Sequence, residues 1–281
     1  MNKLLSAGFT RLWKNKSFWL GIILLPGFLA FALFSNYYDM KQHNFSFTLD
    51  GFLYGCFLLI TMFTPIFAAL FLGTEYSDGT VRNKLVIGHS RTAVYLSSLA
   101  VCFVSSLLVC LTTIIITYAL GIPLFGTPET PVLTIVQEYA FGVLMIAALS
   151  GLFTLLAMMI TSKSASAIVC TLGIFALLFV SMYILKRLLA PEMIEYGHYV
   201  EYDGVADVSV IPLEHPNPQY LAGTARKVYE FFQDFLPTGQ GLQLAEFGHL
   251  EHPLQACLCS LFVTAATTVG GILAFQKKNL K

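Results

Sequence analysis

Apolar residues in this chain gather into runs longer than the stripes of a soluble fold. Six uncharged stretches, 18–35, 51–73, 93–120, 139–160, 166–185 and 254–275, are each about long enough for a helix to cross a bilayer, which takes roughly 17–25 residues. The pattern predicts an all-α integral membrane protein with six transmembrane helices, a single membrane domain over residues 1–281. The third run is long enough to tilt or to extend past the lipid. Pro26 and Gly27 in the first predict a kink rather than a break. That run follows a basic start and lacks a small-residue cleavage pattern, so it reads as an uncleaved first span.

The polar positions between these runs are patterned too. In the arm, residues 1–16, Leu5, Phe9, Leu12 and Trp13 recur at helical spacing, with Lys3, Ser6, Thr10 and Lys14 on the other side. This fits a helix lying in the membrane interface, Trp13 at headgroup depth and lysines toward anionic lipid. Between the second and third runs, Asp78 can cap a short helix over 78–87, Gly88 can end it, and Ser90 can cap the next. Val81 and Leu85 share one face of that helix, Arg82 and Lys84 flank them, and Glu75 and Asp78 lie upstream. Such a helix, held between two spans, suits docking into a partner's groove. A charged loop ordered by its own ion pairs fits the spacing equally well.

The one long polar segment is 186–253. Strands over 198–202 and 205–211 flank an Asp203-Gly204 turn, and His215-Pro-Asn-Pro218 breaks the chain. Val228, Phe231, Phe232 and Phe235 predict an amphipathic helix over 224–236, ended by Pro237. Residues 237–245 are uncharged and carry Gly239, Gln240, Gly241 and Gln243, which would let them dip into the outer membrane face. No internal repeat is visible.

Composition sharpens the class. The chain is 56% hydrophobic and 11% charged, against roughly 25% charged in soluble domains. Zero net charge gives no overall basic field for nucleic acid. Lys and Arg distribution predicts that both termini are cytoplasmic. That side then carries 11 basic residues with Glu75 and Asp78, and the other carries 5 basic residues with 14 acids. Cys56, Cys102, Cys110, Cys170, Cys257 and Cys259 all fall in apolar runs, which argues for small packed residues rather than disulfides or metal ligands.

The chemistry that is missing narrows the function. There is no G-x-x-x-x-G-K-[ST] loop to cradle nucleotide phosphates, and no H-E-x-x-H or G-x-S-x-G. The spans hold no Asp, Glu, Lys, Arg or His, with Glu138 just before the fourth. Ion-coupled carriers usually need such groups in the membrane. His249, Glu251 and His252 form an isolated triplet, read as solvated residues near the interface rather than a metal site. His43, His89, His198 and His215 are isolated and read as surface residues.

The loop string Glu75-Tyr76-x-x-Gly79-Thr80-x-Arg82-Asn83-x-Leu85-x-x-Gly88-x-Ser90-Arg91 resembles the signature of type-2 ATP-binding-cassette (ABC) exporter permeases. The arm resembles that family's elbow helix, and six spans with a long outer segment before the last also match. The specific motif covers about 17 residues. Ser97 and Ser98 stand where the family pattern has a Lys shortly after the Ser-Arg pair. The resemblance implies a plasma-membrane permease subunit whose loop is a coupling helix touching a separate ATP-binding subunit. Glu75, Asp78, Val81, Arg82, Asn83, Lys84, Leu85 and Arg91 would make that contact. ATP and Mg would bind the partner, and this chain would carry no cofactor and no catalytic site. A second permease chain, identical or related, would complete the exporter. The cargo expected is hydrophobic or amphipathic, a drug, lipid or membrane-active peptide, moving past small and hydroxyl-bearing faces of spans two and five. The other reading is a non-pumping membrane sensor or scaffold whose outer segment binds a ligand.

Overall fold

The computed structural model describes residues 2–43, 47–202 and 208–279. An amphipathic arm, α1 (Asn2–Trp13), leads into α2 (Lys16–His43). A short 3-10 turn (Leu49–Phe52) precedes α3 (Gly55–Ser77). Then come α4 (Thr80–Val86), α5 (Arg91–Phe125), α6 (Val132–Met159) and α7 (Lys163–Leu188). The long polar segment contributes β1 (Met193–Tyr202), β2 (Val208–Pro216), α8 (Gly223–Phe235) and α9 (Pro237–Phe247), and α10 (Pro253–Lys277) closes the chain. Six helical stretches are long and apolar enough to cross a membrane: α2, the 3-10 turn with α3, α5, α6, α7 and α10. All six expected spans fall on them, and α2 runs unbroken through Pro26.

The bundle is built around α3, whose Phe57, Ile60, Phe67, Ala68, Phe71 and Leu72 are buried. The outward faces of α2, α7 and α10 are apolar as well, as Phe31, Phe179 and Phe262 show by their exposure. Such helices need lipid around them. Hydroxyls point the other way. Thr61, Thr64, Ser105, Ser106 and Ser181 are buried, and Thr64 Oγ1 donates to Ser106 Oγ at 2.8 Å. The hydroxyl faces of spans two and five, expected to line a pathway, are thus packed inside this subunit.

In the long polar segment, β1 and β2 pair antiparallel from Met193↔Pro216 to Tyr202↔Val208. The hairpin is longer than the sequence suggested, because pairing continues into the expected breaker. The turn at Asp203-Gly204 lies outside the described residues. Asn217 then turns the chain, its Oδ1 accepting from the Gln219 amide at 2.9 Å. The amphipathic helix forms as α8 but with its apolar side outward. Val228, Phe231 and Phe232 are exposed, while Gln233 and Asp234 are buried. The reason is α9, which inserts between α3, α6 and α7 and supplies polar partners from within. Thr238 bonds with Ser181 on α7 at 2.7 Å. Gln240 Nε2 donates to the Asp234 and Ala256 carbonyls, and Ser260 Oγ donates to Gln240 Oε1. A side chain at Gly241 would sit 2.7 Å from Thr61, so glycine permits this close packing. Most of residues 237–245 are therefore buried within one end of the bundle.

Candidate functional site

The other end of the bundle gathers α1, the end of α3, α4, the start of α5, the α6–α7 turn and the end of α10. α1 lies against α5 through Leu4, Gly8 and Leu12, all buried, at i, i+4 and i+8. A Cβ on Gly8 would stand 2.8 Å from Val101. Leu5 and Phe9 are half-buried beside this stripe, and Trp13 is 54% exposed. The expected arm helix is present, but its inward seam starts at Leu4, and span three occupies that seam.

Arg11 projects from the arm to the end of α3. Its Nη1 lies 3.0 Å from Glu75 Oε1, and its Nη2 lies 3.7 Å from Asp78 Oδ2. Lys84 Nζ from α4 donates to both oxygens of the same Glu75 at 2.9 Å. Glu75 is 2% exposed. One buried carboxylate thus clamps three elements, with two cations against it. A carboxylate out of water is tolerated when paired and fully hydrogen-bonded.

α4 starts at Gly79, whose φ of +68° is a left-handed conformation suited to glycine. Asp78 does not cap it, contrary to the sequence reading. Asp78 closes α3 instead, its amide donating to the Thr74 carbonyl. Gly88, at φ +99°, follows the last turn of α4 as expected of a helix-ending glycine, and Ser90 Oγ accepts from the Ala93 amide to start α5. The apolar face expected to dock is turned inward: Val81 is 1% exposed and Leu85 packs against the core. The outward face carries Arg82 and Asn83, then Val86 and Ile87, 78% and 77% exposed. Two large aliphatics this bare on an ordered loop were missed by reading only the 81/85 periodicity. Their place just before Gly88, where the helix runs out, was the available signal.

Arg91 is also committed internally. Its Nη1 donates to the carbonyls of Phe275, Gln276 and Lys278, capping the end of α10. Lys278 Nζ in turn donates to the Met158 carbonyl at 2.7 Å and to the Tyr76 hydroxyl at 3.1 Å. It also stands 4.2 Å from the Tyr76 ring centroid. Burial pushes the Lys278 ammonium down to about 8. Of the eight residues expected at the contact, Glu75, Val81, Lys84, Leu85 and Arg91 therefore hold the platform together. Asp78, Arg82 and Asn83 face out.

At the opposite end, His252 Nδ1 lies 3.1 Å from Asp234 Oδ2, and Gln243 Nε2 donates to Asp234 Oδ1. His249 and His252 are exposed. Among the described residues, no group of three or more His, Cys, Asp or Glu is arranged to hold a metal ion.

Comparison with known proteins bears on the platform. A family model described as an ABC-2 family transporter protein matches residues 4–182. The match runs from the arm through α4 and most of α7. A search of curated proteins finds no match.

Proposed function

The chain belongs to the ABC-2 transporter family, and from that premise we propose that it is the permease subunit of an ATP-driven exporter coupled through α4. It is a multi-pass membrane protein of a family whose permeases work with a separate ATP-binding ABC subunit. The finer reading rests on one observation: Val86 and Ile87 stand bare beside Arg82 and Asn83, on a helix that Glu75 clamps to span two and the arm. Burying an aliphatic side chain of this size is worth roughly 1.5–3 kcal/mol. Two on one tip, rimmed by a cation and an amide, fit a groove on the ATP-binding subunit.

In this reading ATP and Mg bind that subunit. Its closure pushes α4, and the push passes through Glu75 to α3 and through Arg11 to the arm. Both termini face the cytoplasm of a plasma-membrane complex, where the arm rests in the interface and α4 meets its partner. A second permease chain, identical or related, completes the pathway, and the cargo is hydrophobic or amphipathic. The test is co-expression with the ATP-binding subunit. Val86→Asp with Ile87→Asp is expected to abolish co-purification of the ATPase and ATP-dependent transport at normal membrane levels. Unchanged co-purification and transport would overturn the assignment.

A further inference from the structure

A groove runs up the membrane face between α2 and α3, beginning at Ser17 and continuing past Leu20, Gly21, Leu24, Met62 and Ile66. Its volume is about 290 Å³, close to the smallest small-molecule sites at roughly 300 Å³. Gly21 recesses its floor, since a Cβ there would fall 2.2 Å from the Phe63 ring. Leu20 and Leu24 on its rim are 57% and 55% exposed, so it opens onto the lipid-facing surface of α2.

The mouth of this groove adjoins the arm. Lys14 and Ser17 are three residues apart, at most roughly 10 Å of chain. Asn15 Oδ1 turns the chain between them, accepting from the Ser17 and Phe18 amides. Arg11 stands 5.3 Å from the Phe71 ring centroid, and Phe71 stacks on Phe67, which lines the groove. Residues 1–16 contain no acid. The nearest carboxylates, Glu75 and Asp78, already face Arg11 and Lys84. No ion pair among the described residues engages Lys3, Lys14 or Lys16, and all three are exposed.

We propose that the arm and the first two spans form a binding site for one anionic phospholipid, its phosphate held by Lys14 and Lys16 and one acyl chain in the α2–α3 groove. Charge and apolarity meet at the depth where such a lipid changes from headgroup to chain. A second copy seated on this face about a two-fold axis along the membrane normal would bring both sets of lysines to the same level, which like-charge repulsion opposes. The site sits beside Glu75, so occupancy braces the arm that Glu75 clamps. The inference is independent of whether α4 docks an ATPase.

The protein carries its own reporter. The chain has two tryptophans, Trp13 and Trp19, which bracket Ser17 in the chain, pack on each other with ring centroids 5.8 Å apart, and are 54% and 44% exposed. The purified chain in phosphatidylcholine bilayers is titrated with phosphatidylglycerol dibrominated near the carbonyl end of its chains, or with phosphatidylcholine so labelled. At a low mole fraction, the anionic lipid is expected to quench several-fold more. Lys14→Gln with Lys16→Gln should abolish that preference, as should Leu20→Phe with Leu24→Phe, which fills the groove and leaves the charge. All four positions are exposed, and elution as a single species checks that each variant is folded. Equal quenching by both lipids, or no quenching by either because a second copy covers the face, would overturn the site. So would a preference that survives either pair of substitutions.

Discussion

Replacing Glu75 by Gln keeps its shape and removes its charge, leaving Arg11 and Lys84 around a neutral amide. Taking one partner from a buried ion pair costs roughly 3–5 kcal/mol. Here the cost is smaller. Arg11 and Lys84 keep 25% and 14% exposure, and Arg11 already approaches Asp78 at 3.7 Å. About 2 kcal/mol remains, which is roughly 25-fold in an equilibrium constant. The loss should be local, since α3 itself is held by its buried aromatics. Hydrogen exchange of the detergent-purified chain reads it directly. Amides of α1 and α4 should open roughly 25-fold more often in Glu75→Gln, while those in the middle of α3 and α6 keep their protection. Adding Arg11→Gln should then cost much less than it does in the wild-type background, because the two share one interaction. Unchanged exchange in α1 and α4, or acceleration spread evenly over the bundle, would refute the clamp.

Other expectations follow from the same platform. Val81→Asp buries a carboxylate among α3 and α5 and should lower the amount of folded protein in the membrane, measured by quantitative immunoblot and thermal unfolding. Val86→Asp at the bare tip should leave both unchanged. Lys278 binds its proton less readily folded, near pH 8, than unfolded, near 10.5. The unfolded chain thus holds more protons between those values, and stability should rise with pH across that window. Lys278→Met should remove that rise, as checked by chemical unfolding at pH 7.5, 9 and 10.5. Gly241→Leu, whose side chain would meet Thr61 and Met145, should displace α9 and expose the α9 amides to exchange, with α1 and α4 unaffected.

The six spans were legible because length and apolarity alone decide them, and no tertiary detail enters. The arm and the loop helix were legible for the same reason, from local spacing. What the sequence hid is which way each amphipathic face turns. Val81 and Leu85 look like a docking knob until α3 and α5 are present to cover them, and then Val86 and Ile87 are left bare. In α8 the usual rule inverts, because α9 and His252 bring polar partners to Asp234 and Gln233's side of the helix, while the phenylalanines face outward. Burial pushes the Asp234 carboxyl up, and Gln243 and His252 pull it back. The Glu75 clamp joins residues 11, 75 and 84, and Arg91 reaches across to residues 275–278. Such pairings come from three-dimensional packing and leave no periodicity to read.

The claim that α4's tip meets the ATP-binding subunit is open to one direct measurement. A photo-crosslinking amino acid is placed at Ile87, or at Phe232 on the opposite end, in the complex assembled in native membranes. Irradiation is expected to join the ATP-binding subunit to the chain from position 87 and not from position 232. Absence of that adduct at 87, or equal yield from 232, would contradict the account.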